Sequence, residues 1–182
     1  TQALTGWCEQ QPEMVAHTGL CLVHRAEVSL LRGDWRLALQ EAQRAKTQFA
    51  KAMNSSGVGH ALYRQGEVHR VQGHFDKAEA AYREAARSGH DPQPGLALLR
   101  LVQGRTTAAA SAIRRALSET TDPVRRAKLL PASVEIFLTE GSTEQAREAC
   151  SEIEQSSKGR RSELLEALAA YSRGALDLAE GK

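Results

Sequence analysis

Apolar and small residues along this chain recur at offsets of three and four rather than in alternation, which is the spacing of one face of a helix. The pattern itself repeats. The stretches Ala26–Gly33 (AEVSLLRG), Gly66–Gly73 (GEVHRVQG), Ala97–Gly104 (ALLRLVQG) and Val134–Gly141 (VEIFLTEG) each open on a small or short apolar residue and end on glycine. Five residues past each glycine stands an alanine (Ala38, Ala78, Ala109, Ala146); four further on come Ala42, Tyr82, Ile113 and Cys150, and three beyond those Ala45, Ala85, Ala116 and Ile153.

This arrangement predicts a first helix (A), a glycine turn, and a second helix (B) folded back against the first. Glycine adopts the left-handed conformation that ends helix A without a steric penalty. Asp34, His74, Arg105 and Ser142 then open helix B, and Asp34 and Ser142 are suited to cap it. Trp35 and Phe75 are expected to wedge between the helices of a pair. Small residues at Ala26, Gly66 and Ala97, facing Ala38, Ala78 and Ala109, let two backbones approach closely.

Helices are predicted at 15–32, 35–52, 59–72, 75–88, 95–103, 106–118, 123–140, 142–155 and 162–180. Loops are expected at Asn54–Gly57, Ser88–Gly95, Thr120–Pro123 and Ser156–Arg161. The repeat glycines lie forty, thirty-one and thirty-seven residues apart, so insertions belong in the loops between pairs. Residues 2–11, with Leu4, Trp7 and Cys8, read as the second helix of an earlier pair; residues 162–181 read as the first helix of a fifth. The whole of 1–182 is thus expected to be a single helical-repeat segment, about four pairs with partial pairs at both ends. Its opening on Thr1 and its close inside a helical pattern suggest a fragment of a longer protein.

Composition supports helices: 41% of residues are hydrophobic but only 4% aromatic. The net charge of +2 is spread among interspersed acids and bases, which excludes a continuous field for gripping phosphates, so no direct nucleic-acid contact is expected from this segment. Cys8, Cys21 and Cys150 are odd in number and lack CxxC spacing, which points to a reducing, cytoplasmic setting. No apolar run approaches a membrane span.

The second repeat, Leu62–Ala85 (LYRQGEVHRVQGHFDKAEAAYREA), resembles a tetratricopeptide repeat, whose glycine, alanine, tyrosine and alanine match Gly66, Ala78, Tyr82 and Ala85. It departs from that pattern at His69, where helix A usually carries an aromatic, and in a late proline, Pro92. The other repeats match at their small residues only. Longer phrases at Gly19–Val28, Gly33–Trp35, Gly66–Arg70, Asp91–Arg105 and Arg173–Gly181 resemble the helical-repeat region of large LuxR-type transcriptional regulators of actinobacteria. The resemblance implies an all-α fold, a right-handed α-solenoid of antiparallel helix pairs, standing before a C-terminal DNA-binding helix-turn-helix in the parent protein. No stretch of these residues resembles that DNA-binding pair.

In tetratricopeptide stacks helix A lines a concave groove, so the resemblance implies that Glu27, Glu67 and Glu135, which share one register, line it. Tyr63 and Arg70 lie on the same stripe as Glu67, with Lys128 and Tyr171 farther along. Such a groove would prefer a cationic or amphipathic partner. The alternatives are a solvated acidic stripe and pairing with the chain's own arginines.

Other candidate chemistry is thin. His17, Cys21 and His24 have spacing that would present two nitrogens and a sulfur to zinc, but only Cys8 offers a fourth ligand, and Cys21 equally reads as a small packed hydrophobe. His60, His69, His74 and His90 are scattered. Cys150 is the only thiol with a catalytic reading, and it occupies an interior repeat position. There is no GxxxxGK or GxGxxG. The doublets Arg114-Arg115, Arg125-Arg126 and Arg160-Arg161 read as solvated helix ends or contacts for an acidic partner. The expectation is a non-enzymatic interaction or effector-sensing segment without a cofactor, taking a protein, a peptide, another part of its own chain or a small effector. The alternative is a free-standing scaffold unconnected with transcription.

Leu164, Leu165, Leu168, Tyr171 and Leu178 put an apolar stripe on the last helix, where a solenoid usually carries a polar cap. The chain should therefore self-associate, with a homodimer through this helix as one form. Light scattering that finds only monomer at high protein concentration would count against it.

Overall fold

A computed structural model describes residues 15–158 and 162–182, and the expected helix at 2–11 lies outside them. Among the described residues there are nine helices and no strand. They are α1 (Val15–Leu31), α2 (Trp35–Lys51), α3 (Ser55–Val71), α4 (Phe75–Arg87), α5 (Gly95–Val102), α6 (Thr106–Glu119), α7 (Pro123–Glu140), α8 (Thr143–Lys158) and α9 (Glu163–Ala179). The architecture is all-α and built of helix pairs, as the hydrophobic period requires. The helices gather into two compact units, one running to Gly95 and the other starting at Leu96.

In the first unit α1 packs on α2, α2 on α3, α3 on α4, and α1 also on α3. Helices α1 and α3 are the A helices, α2 and α4 the B helices. The turn between α1 and α2 shows how the sequence makes a pair: Gly33 has φ +79°, and the amide of Asp34 donates to the Ser29 carbonyl at 2.9 Å. The Asp34 carboxylate then accepts from the Leu37 amide and starts α2. His74 makes no such side-chain cap for α4, nor Arg105 for α6. The Ser142 hydroxyl, expected to cap α8, donates to Glu140 Oε2 at 2.9 Å.

The predicted crossing residues are all interior: Ala26, Ala38, Ala78, Ala97 and Ala109 are buried. The rings they make room for are not the expected ones. Trp35 is exposed and Phe75 only half-buried, because both sit in the first turn of helix B, above the crossing. Phe49 and Tyr82, deeper on α2 and α4, are fully buried instead. Each lies in a slot left by glycine. A methyl at Gly19 would stand 2.7 Å from Phe49 Cε1, and one at Gly57 would overlap the same ring. A methyl at Gly66 would stand 2.5 Å from Tyr82 Cε1, and one at Gly95 2.6 Å from its hydroxyl.

This explains one error of sequence reading. Asn54–Gly57 looks like a loop, yet α3 begins at Ser55, with Asn54 Oδ1 accepting from the Gly57 amide at 2.8 Å. Gly57 is there for the close approach of Phe49, not for a turn. Full burial of a ring of this size is worth roughly 1.5–3 kcal/mol, which outweighs the cost of about 0.5–1 kcal/mol for glycine inside a helix.

In the second unit α6 packs on α7, α7 on α8, α8 on α9, and α7 also on α9. The core runs through Ala97, Ala109, Ile113, Leu130, Val134, Phe137, Cys150, Ile153 and Leu176. Gly141, at φ +87°, makes the turn between α7 and α8. The last A helix differs from the others: Gly174, in the register of Ala26 and Gly66, has open space where a methyl would go.

The two glycines therefore predict opposite signs. Gly66→Ala should lower stability by about 1–3 kcal/mol through overpacking against Tyr82, whereas Gly174→Ala should raise it by about 0.5–1 kcal/mol. Urea unfolding of both variants checks this, and equal effects would mean that the A-helix register is misread.

Candidate functional site

The A-helix stripe is the candidate site taken up among the described residues, and each unit presents its own part of it. In the first unit the stripe is closed by the chain's own side chains. Arg64 Nη2 on α3 sits 2.8 Å from Glu27 Oε2 on α1, tying the two A helices together. His24, one turn before Glu27, is 3.8 Å from the same carboxylate. Glu67 accepts from Arg70 through both oxygens, at 3.3 and 3.1 Å, and from the Tyr82 hydroxyl. The side chains of Glu67 and Arg70 are 13% and 18% exposed, so this is a desolvated pair rather than a surface ornament.

Around it the rings close ranks. Tyr63 packs at 5.7 Å on Tyr82 and at 5.2 Å on His90, and His90 stacks on His60 at 4.9 Å. Arg64 lies 5.6 Å over the Tyr63 ring. Burial, reinforced by the Glu67 charge, holds both tyrosine hydroxyls protonated far above the ordinary range. Burial works against the charge on Arg70, but Glu67 more than restores it, and its pKa is raised. Of the predicted groove residues, Glu27, Tyr63, Glu67 and Arg70 are therefore fixed in internal contacts. Tyr82 and Arg64 were not foreseen as their partners.

A second buried acid was missed altogether. Glu41 on α2 is 2% exposed; Oε1 accepts from Arg25 at 2.7 Å, and Oε2 has no hydrogen-bond partner. The signal was present, since Glu41 stands where the other repeats place Ala81, Ala112 and Ala149.

In the second unit the stripe is open. Between α7 and α9 lies a recess of about 200 Å³ lined by Pro131, Val134, Glu135, Leu138, Thr139, Tyr171, Ser172 and Ala175. It brings together two predicted residues, Glu135 and Tyr171. Tyr171 is 66% exposed, Glu135 is exposed, and no described cation lies within ion-pair distance of that carboxylate. Ser172, almost wholly buried, has a hydroxyl without a partner. Lys128 is exposed on α7, two turns before Glu135, and does not line the recess.

The remaining candidates stand as follows. Among the described residues no three potential ligands cluster as a metal site; Cys21 is half-buried, His24 exposed, and the side chains of Cys8 and His17 lie outside the described set. Cys150 is buried in the core and burial pushes its thiol pKa up, the reverse of a nucleophile's activation. Arg114 is held by Glu140 and Gln145. Arg126 is held by Glu152 and by the Leu117 carbonyl at 2.6 Å. Arg115 faces Glu119 at 3.9 Å. Arg160 and Arg161 lie outside the described residues. No described helix is long and apolar enough to cross a membrane.

Paired helices crossing on small residues, with acids recurring on the A side, define a helical-repeat protein. The family model described as "Tetratricopeptide repeat" matches residues 26–95 and 63–123, together more than half of the chain, and the chain belongs to the tetratricopeptide-repeat family. Repeats of this family typically form non-catalytic scaffolds for protein–protein interaction. No curated protein and no solved structure matches the chain significantly.

Because the Glu67–Arg70 pair is desolvated, breaking it should cost far more than a surface pair, on the order of 3 kcal/mol. Glu67→Lys should unfold at markedly lower urea, and Arg70→Glu added to it should recover part of the loss. Strict additivity of the two changes would show that the residues do not interact.

Proposed function

We propose that this chain is the interaction or effector-sensing segment of a LuxR-type transcriptional regulator, and that the A-helix face is its working surface. The carrying observation is the recess between α7 and α9, where Glu135 and Tyr171 meet on that face with neither tied to the chain's own core. Membership of a scaffold family supports binding rather than catalysis. The link to transcription rests on the phrases at Gly19–Val28, Asp91–Arg105 and Arg173–Gly181 and their likeness to regulators of that type.

On this reading the segment is one part of a longer cytoplasmic polypeptide. The face receives a protein or peptide, including another part of the same polypeptide, and DNA is bound elsewhere in the parent protein. At about 200 Å³ the recess is smaller than the usual 300–1,000 Å³ of small-molecule sites, which favours a protruding side chain over a whole effector molecule. The free-standing scaffold remains the second reading, favoured by a family match that reports the repeat and no more.

Thr139 lines the recess but is exposed, so Thr139→Trp should fill it without touching the core. In the full-length protein this variant should melt within a few degrees of wild type and yet lose most of its regulatory response in a reporter assay. Intact folding with an intact response would remove the recess from the working surface. A full reading frame encoding no DNA-binding helix pair would leave the scaffold reading in place of the regulator.

A further inference from the structure

We infer that the α7–α9 recess receives a lysine or arginine side chain from an amphipathic protein segment, its aliphatic stem on the apolar floor and its cationic head against Glu135. This deepens the proposed function and rests on it. The argument begins with what the acids of the A helices do. Glu27 is paired with Arg64, and Glu67 with Arg70 while the Tyr82 hydroxyl also donates to it, so both carboxylates already have partners within the chain. Glu135 occupies the same repeat register but projects from α7 without a described cation within reach. In the second unit Glu135 lies on the rim of the recess.

The recess suits a stem with a charge at its end. Pro131, Val134, Leu138 and Ala175 supply apolar walls, and Tyr171 stands largely in solvent beside them. Long cationic side chains bury their methylenes on such walls while the head stays hydrated, and a tyrosine ring adds a face on which that head can rest. An acidic side chain would meet Glu135 directly. An uncharged apolar one would fill the floor but leave the carboxylate unanswered. Lys128, two turns away on the same helix, does not line the recess.

The test uses the 182-residue chain and two labelled synthetic peptides, one with lysine and leucine at helical spacing and one with every lysine replaced by glutamate. Binding is read by fluorescence anisotropy for wild type, Glu135→Gln, Tyr171→Ala and Thr139→Trp, with circular dichroism melts confirming folding. The lysine peptide should bind wild type at least tenfold more tightly than the glutamate peptide. Glu135→Gln should erase most of that preference, Tyr171→Ala should weaken the lysine peptide several-fold, and Thr139→Trp should abolish binding. Equal binding of both peptides, lost in Thr139→Trp, would overturn the charge inference while leaving the A-helix face as the working surface. Lysine-peptide binding indifferent to Glu135→Gln and Thr139→Trp would overturn both, and failure of the lysine peptide to bind would overturn the inference.

Discussion

The distance between the two backbones of a helix pair governs this molecule. In the first unit, where helix A meets helix B, the chain places Ala26 or Gly66 on A and Ala38 or Ala78 on B, and the backbones approach closely enough for one large ring on each B helix to be enclosed. Phe49 and Tyr82 fill slots cut by Gly19, Gly57, Gly66 and Gly95. Interiors of this kind are packed to crystal density, so a single methyl in the slot forces the ring to move. The helix breaks, the caps and the position of the acidic stripe all follow from that register.

The register also decides what the acids do. At Glu67 the close packing that encloses Tyr82 brings its hydroxyl onto the carboxylate, and Arg70, one turn on, completes the pair. At Glu27 the neighbouring A helix delivers Arg64. At Glu135 the register is the same, but its neighbours Pro131, Leu138 and Thr139 carry no cation, and the side chain remains at the edge of a recess. One repeat position thus yields two structural clamps and one available carboxylate.

Most of the fold was legible in the sequence because a 3.6-residue period with glycines in fixed register leaves little choice. The start of α3 was misread, since Gly57 is the residue of a turn in composition and of a close approach in space. Trp35 and Phe75 were misplaced for a related reason: bulk was visible in the sequence, but depth along helix B was not. The candidate site was half legible. Recurrence singled out Glu27, Glu67 and Glu135, but which of them an arginine reaches depends on the lateral packing of A helices, which periodicity does not encode. Glu41 was discoverable as a lone charge in a column of alanines, and Tyr82 was seen as packing when its hydroxyl mattered as much.

The account stands on the claim that the A-helix side of the second unit, and not its B-helix side, meets a partner. Amide chemical-shift mapping of the chain during titration with a lysine-rich amphipathic peptide reads this residue by residue. The account predicts that the perturbed amides cluster at Glu135, Leu138, Thr139, Tyr171 and Ala175. Shifts concentrated instead on α8, around Glu148 and Ser151, would contradict it.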